Sequence, residues 1–244
     1  MSVPDTHTSV NAMTATELVY NPYAFAIHDD PYETYRRLRD EAPAYWNPDL
    51  SFWVLSRFED VQNAFKDFDT FSSTGGVALE SRRRRDAGRM EFQQMIEMDP
   101  PDHTSFRKLV NRIFTGRRVA AMEDDIRNIF NAYLDQIVER GEADLVEEVT
   151  SPFPMDVISA FLDIPEGDRA QLRSYSDTIL IREDGKMELP QVAAEGMFAM
   201  LQYFIDDLPK RRKNPRNGII DDLLTLEVDG RSLTEEELLG FCIL

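Results

Sequence analysis

The chain has 244 residues, 42% of them hydrophobic, enough to bury a core and to exclude an intrinsically disordered chain. Its 27 Lys and Arg stand against 45 Asp and Glu, a formal charge of -18, so its long-range field repels nucleic acid and anionic membrane surfaces. The single cysteine, Cys242, excludes a disulfide framework and a zinc site built from several thiolates, and fits a reducing cytoplasm.

Residues 1–16 are polar and rich in Ser and Thr, without the basic-then-apolar order of an export signal or an apolar run able to cross a bilayer. Residues 1–19 therefore read as a loose tail, and the protein as cytoplasmic and unanchored. No repeat and no long Gly/Ser linker divides the chain, so one domain over 1–244 is expected.

The first helix is predicted over 31–39, with Pro31 at the first position, Glu33 early and Arg37 and Arg39 late along the dipole; Pro43 ends it. Strands are predicted over 44–46 and 52–55, joined through Asn47-Pro48-Asp49 as a small hairpin. Residues 57–66 place Phe58, Val61, Ala64 and Phe65 at helical spacing, an apolar face expected to pack as in any amphipathic helix. Periodicity then fails over 72–98, apart from a short helix near Phe92; a loop this long is a functional candidate, with Arg82 to Arg85 as its solvated tip.

The string Asp99-Pro100-Pro101-Asp102-His103 reads as a helix start, with Asp99 as N-cap, Pro100 at the first helical position and Asp102 placed favourably on the dipole. His103 and Arg107, four apart, share one face near that start and make an anion site suited to a carboxylate. A stripe of Val119, Met122, Ile126, Ile129, Phe130, Tyr133, Leu134 and Ile137 predicts a helical run ended near Gly141. Further helices are predicted over 152–162, 166–178, 189–213 and 219–226, and a last one opens at Thr234 with Glu237 completing a capping box.

A His and an Arg four apart are common, but the five-residue string has a chance expectation on the order of one in ten thousand in a chain this long, so the string carries the assignment. With its surroundings it resembles the bacterial, soluble members of the cytochrome P450 family, in which a helix opening Asp-Pro-Pro-(Asp/Glu)-His-x-x-x-Arg follows a long variable loop lining the substrate pocket. Residues 52–61, Phe68-Asp69-Thr70-Phe71-Ser72-Ser73, Phe114-Thr115-Gly116-Arg117-Arg118-Val119, Glu142-Ala143-Asp144-Leu145-Val146 and 234–244 are similar to further family segments, so the likeness runs from Tyr20 to Leu244. Gly116 departs from it, standing where the family commonly has proline.

The resemblance implies a mainly α fold with a small β element, the cytochrome P450 fold in its amino-terminal part only, and a monooxygenase inserting one oxygen atom from O2 into an apolar small molecule of terpenoid, steroid or fatty-acid-like kind. It implies heme b, iron protoporphyrin IX, as cofactor, with His103 and Arg107 as donors to its propionates. The loop 72–98 and the region 179–189 are expected to contribute to the substrate pocket. Arg107, Lys108, Arg112, Arg117 and Arg118 form a basic cluster, and the resemblance implies docking of a ferredoxin-type electron donor near it, through Lys108, Arg112 and Arg117.

No catalytic or metal-ligating residue is assigned within the chain. Cys242 lies in an apolar helix, outside the Phe- and Gly-rich loop that carries the family's thiolate, and reads as a small buried hydrophobe. Glu33-x-x-Arg36, Glu80-x-x-Arg83 and Glu166-x-x-Arg169 match the family's Glu-x-x-Arg pattern outside its proper neighbourhood, and Met197, Met200 and Phe204 read as helix packing. The 244 residues alone are expected to be inactive; the alternatives are a truncated, non-catalytic protein binding an apolar ligand or a partner, or an unrelated all-α scaffold.

Overall fold

The computed structural model describes residues 17–81, 93–216 and 218–244. The Arg82 to Arg85 cluster and the helix expected near Phe92 lie outside the described residues.

An unpredicted short helix α1 (Phe25–Asp29) precedes α2 (Tyr32–Glu41), which Pro31 introduces and which buries only Leu38. Strands β1 (Ala44–Asn47) and β2 (Phe52–Leu55) then pair antiparallel, with Trp46 opposite Trp53. Buried Asn47 shapes the connection: its Oδ1 accepts the Leu50 N–H at 2.8 Å and its Nδ2 donates to the Tyr20 carbonyl at 2.8 Å.

Helix α3 (Phe58–Lys66) forms where the periodicity places it but is not packed as expected. Phe58 and Phe65 are 76% and 87% exposed, and Leu55, Val61, Ala64, Phe65, Phe68 and Phe71 line an open hollow of about 320 Å³. Apolar spacing specifies which face of a helix wants a partner; among the described residues no layer covers this one.

After a 3₁₀ turn (Met95–Glu97) come α4 (Asp102–Val110), α5 (Gly116–Ala120) and α6 (Glu123–Val138). The expected stripe is thus divided between two helices at Ala121 and Met122, and Gly141 follows α6 at φ +72°. A π-turn (Val146–Thr150) leads into α7 (Pro152–Phe161), α8 (Glu166–Ile179), the 23-residue α9 (Gln191–Lys213), α10 (Ile219–Thr225) and α11 (Glu235–Ile243). The capping box of α11 forms as read: Thr234 Oγ1 accepts the Glu237 N–H at 3.2 Å and Glu237 Oε2 accepts the Thr234 N–H at 2.9 Å.

One core joins α4, α8, α9, α10 and α11, built on Phe106, Leu109, Leu172, Phe204, Leu208, Ile220, Leu223 and Leu238. Met200 and Phe204 belong to it, as packing residues. The described residues are thus mainly α with one two-stranded sheet, and none of their helices is long and apolar enough to cross a membrane.

Thr115 supplies at α5 the cap that Gly116 does not, its Oγ1 accepting the Arg118 N–H at 3.3 Å. Thr115 is extended (φ -86°, ψ 149°), the conformation a following proline demands, and a Cβ at Gly116 meets nothing within 4 Å. Gly116→Pro is therefore expected to stabilise the protein by about 0.4–1 kcal/mol, by restricting the unfolded chain. Thermal unfolding checks this; a lowered midpoint would mean that the Gly116 N–H has a partner in the folded state.

Candidate functional site: one face of α4 and the cavity beside it

Helix α4 is two-sided. Phe106, Leu109 and Val110 turn into the core at 0%, 1% and 6% exposure, while Arg107 is exposed and His103 half-buried on the other side. Neither the His103 nor the Arg107 side chain makes a hydrogen bond or ion pair with a described residue, although His103 lies close enough to Asp99 to lower its pKa. A half-buried imidazole and an unengaged guanidinium, one turn apart near a helix N-terminus, can together take carboxylate oxygens.

The start of the helix differs from the sequence reading. It begins at Asp102, with Pro101 in the N-cap position and a cis Pro100–Pro101 bond, so Asp99 is not its N-cap and Pro100 is not its first residue. Asp99 turns its carboxylate back on the preceding loop instead. It accepts from Ser72 Oγ at 2.5 Å and from the Ser73 N–H at 2.9 Å, and these bonds hold it below the usual carboxylate range. The side chain that sequence alone assigns to the helix thus ties the loop to it; Asp102 remains as the acid in the first turn.

Helix α11 packs against the segment leading into α4. At Gly240 the backbone of Gln93 passes so close that a Cβ would stand 2.8 Å from its carbonyl oxygen, so only glycine admits the contact. Cys242, two residues further on, is 7% exposed, and burial pushes its thiol up to about 12. It is a small core residue, as read. Thiol reagents are accordingly expected to label Cys242 only on unfolding, at a rate that follows opening; labelling of the native protein at the rate of a free thiol would contradict that burial.

Next to this face the loop after Phe71 and the turn after α8 meet. Ser72, Thr74, Gly76, Val77 and Glu80, with Pro22 and Tyr23 from the start of the chain and Arg182 from the turn, line an open cavity of about 720 Å³. Glu80 is 7% exposed; its Oε2 accepts from the Tyr23 hydroxyl at 2.6 Å, and Arg182 Nη2 stands 3.5 Å from its Oε1. Sequence reasoning named both loops but missed Tyr23, Glu80 and Arg182, since no local pattern distinguishes one tyrosine, glutamate or arginine that meets the others only in space.

The basic cluster is partly neutralised. Lys108 pairs with Asp229 and Arg118 with Asp222, while Arg112 and Arg117 are exposed and without an ion-pair partner among the described residues. The Glu-x-x-Arg matches are incidental: Glu33 and Arg36 pair at 2.7 Å on the surface, Arg169 donates to the Ile164 carbonyl, and Arg83 lies outside the described residues. No group of His, Cys, Asp and Glu among the described residues could hold a metal ion.

No family model matches the chain. It is 38% identical over 229 residues to the putative cytochrome P450 123 of Mycobacterium tuberculosis, a match covering 93% of this chain and 56% of that protein. It is 30% identical over 227 residues to the steroid C26-monooxygenase of Rhodococcus jostii, covering 88% of this chain and 48% of that protein. The fold superposes on cytochrome P450 CYP109Q5 of Chondromyces apiculatus with a TM-score of 0.73 at 29% identity, over 90% of this chain and 54% of that one. The chain spans about half the length of the curated relatives it matches. By sequence and by fold together, the chain belongs to the cytochrome P450 family, whose amino-terminal part it matches.

Proposed function

We propose that the chain is part of a heme-thiolate monooxygenase that inserts one oxygen atom of O2 into an apolar small molecule, and that His103 and Arg107 hold the heme propionates. The observation that carries this reading is the unengaged cationic face of α4, opposite a fully buried one, in a chain similar to P450s over nearly its whole length. The donor set fits the group: a guanidinium fork and an imidazole N–H suit two carboxylates, and α4 holds both on a helix already anchored in the core. When bound, heme b supplies the activation of dioxygen. Cys242, buried and with its thiol held protonated, does not ligate it.

The 720 Å³ cavity, lined by the loop and by the turn after α8, is the substrate side of this reading. Its mixed lining suits an apolar skeleton with few polar groups, in keeping with a relative named for a steroid. Terpenoid and fatty-acid-like skeletons fit the same description. The test is the difference spectrum of the reduced, carbon monoxide-treated full-length protein; absence of the red-shifted Soret band of a thiolate-ligated heme would remove the proposal.

Electrons are proposed to come from a ferredoxin-type donor at the basic face. Because Asp229 already engages Lys108, charge reversal at Arg112 and Arg117 is expected to raise the apparent KM for an acidic ferredoxin more than reversal at Lys108. Steady-state kinetics at low salt read this out; equal, negligible effects at all three positions would place the donor elsewhere.

A further inference from the structure

The first turn of α4 has no side-chain cap. Pro101 occupies the N-cap position without accepting a side-chain bond, and the buried residues of the helix begin only at Phe106. Arg107 stands next to Phe106 in the packed part of the helix, whereas His103 lies before it. The His103 N–H is taken instead by the Asp99 carbonyl, at 2.9 Å.

Asp99 is itself fixed from outside the helix. Its two carboxylate oxygens accept from Ser72 Oγ at 2.5 Å and from the Ser73 N–H at 2.9 Å, and hydrogen bonds to an ionised carboxylate are the strong kind. The single proton of the Ser72 hydroxyl is used in that bond. Thr74 Oγ1 must therefore donate to Ser72 Oγ at 2.7 Å, beside the Thr74 N–H at 3.1 Å. The Gly76 N–H closes the turn on the Ser73 carbonyl at 3.0 Å. Ser72, Thr74 and Gly76 line the 720 Å³ cavity, so one aspartate joins its wall to the residue that presents the imidazole.

We infer that Asp99 is a positioning residue for the heme anchor: its carboxylate fastens the 72–76 turn and its carbonyl fastens His103, so that imidazole and cavity wall are held, and loosened, together. The inference rests on the assignment of His103 to a propionate. It gives Asp99 no contact with the heme, and it leaves Arg107, held by the core through Phe106, outside the reach of Asp99.

Heme transfer from the full-length protein to an apo-globin tests the inference. Asp99 lies outside the core, and Asp99→Ala keeps the carbonyl while removing both bonds to the loop. Heme loss should quicken about fivefold in the wild-type and Arg107→Ala backgrounds, and less than about twofold in the His103→Ala background. An equal effect in all three backgrounds, or none in the wild type where His103→Ala has one, overturns the proposal. Amide hydrogen exchange reads the tie directly: in Asp99→Ala the His103 and Gly76 amides should exchange about tenfold faster together, with Leu208 and Ile220 in the core unchanged. Unchanged exchange at either amide overturns it. Asp99→Asn is the conservative rescue, since its amide oxygen can accept the Ser73 N–H and its amide nitrogen can donate to Ser72 Oγ; heme loss and exchange should stay within about twofold of wild type. An asparagine variant as fast as alanine would mean that charge acts rather than the tie, against the proposal. Should His103→Ala itself leave heme loss unchanged, the propionate assignment falls and the heme role of Asp99 with it, while exchange still decides the tie between loop and helix.

Discussion

Replacing Arg211 with alanine is expected to destabilise the fold by about 3–5 kcal/mol, the largest effect of any single substitution considered for this chain. Arg211 is 0% exposed, near the end of α9. Its Nε donates to Asp207 Oδ2 at 2.5 Å, its Nη2 to the Asp163 carbonyl at 2.8 Å, and its Nη1 stands 3.4 Å from Asp221 Oδ2. Removing the guanidinium leaves Asp207 and Asp221, both buried, with a charge to stabilise and a carbonyl without its donor.

Two features modulate the size of the effect. Arg216 still reaches Asp207 at 2.8 Å and offsets part of the loss there. Asp221 has no second cation of this kind among the described residues: its Oδ1 is buried without a hydrogen-bond partner among them, and its Oδ2 already accepts the Gly218 N–H at 3.0 Å, capping α10, and the Arg216 N–H at 3.1 Å. Arg211→Met, which keeps most of the volume, should therefore be nearly as damaging as alanine, and adding Asp221→Asn to it should recover part of the loss. Urea unfolding with an unchanged m-value is the measurement; a loss below about 1 kcal/mol for Arg211→Ala would mean that water replaces the guanidinium.

The second large effect belongs to the cofactor. With His103→Ala and Arg107→Ala combined, heme is expected to leave the full-length protein at least about a hundredfold faster, since each charge-assisted hydrogen bond to a propionate contributes roughly 1.5–3 kcal/mol. Transfer of heme to an apo-globin acceptor, followed in the Soret region, gives the rate. Arg107→Lys should fall between, because an ammonium keeps the charge and loses the planar fork. Neither side chain packs in the core, so the thermal stability of the heme-free chain should scarcely move. Unaltered heme retention in the double variant would sink the assignment of this face.

Some of the site was legible because its causes are local. The helix that carries His103 and Arg107 and the sharing of a face follow from a proline-rich start and the 3.6-residue period, both contained within about ten residues. The cap was misread for the opposite reason. Asp99 is a good N-cap by type, yet two loop donors, Ser72 and Ser73, offer its carboxylate a closer set of hydrogen bonds, and no rule of local sequence includes them. Arg211 lay within a basic run, Lys210 to Lys213, that reads as a solvated helix end; its place on the stripe of Phe204 and Leu208 was the signal that it turns inward.

Sequence by itself determined where most helices of this protein run, the hairpin, the inert buried cysteine and the family, since propensity, capping and periodicity act over one or two turns and a rare string survives as a string. Only the tertiary structure decided which faces are covered. It left α3 with Phe58 and Phe65 in solvent, enclosed Arg211 among aspartates, and brought Tyr23, Glu80 and Arg182 to one cavity. Those outcomes depend on which surfaces compete for burial and for each buried donor, a competition among residues up to 164 positions apart in the chain.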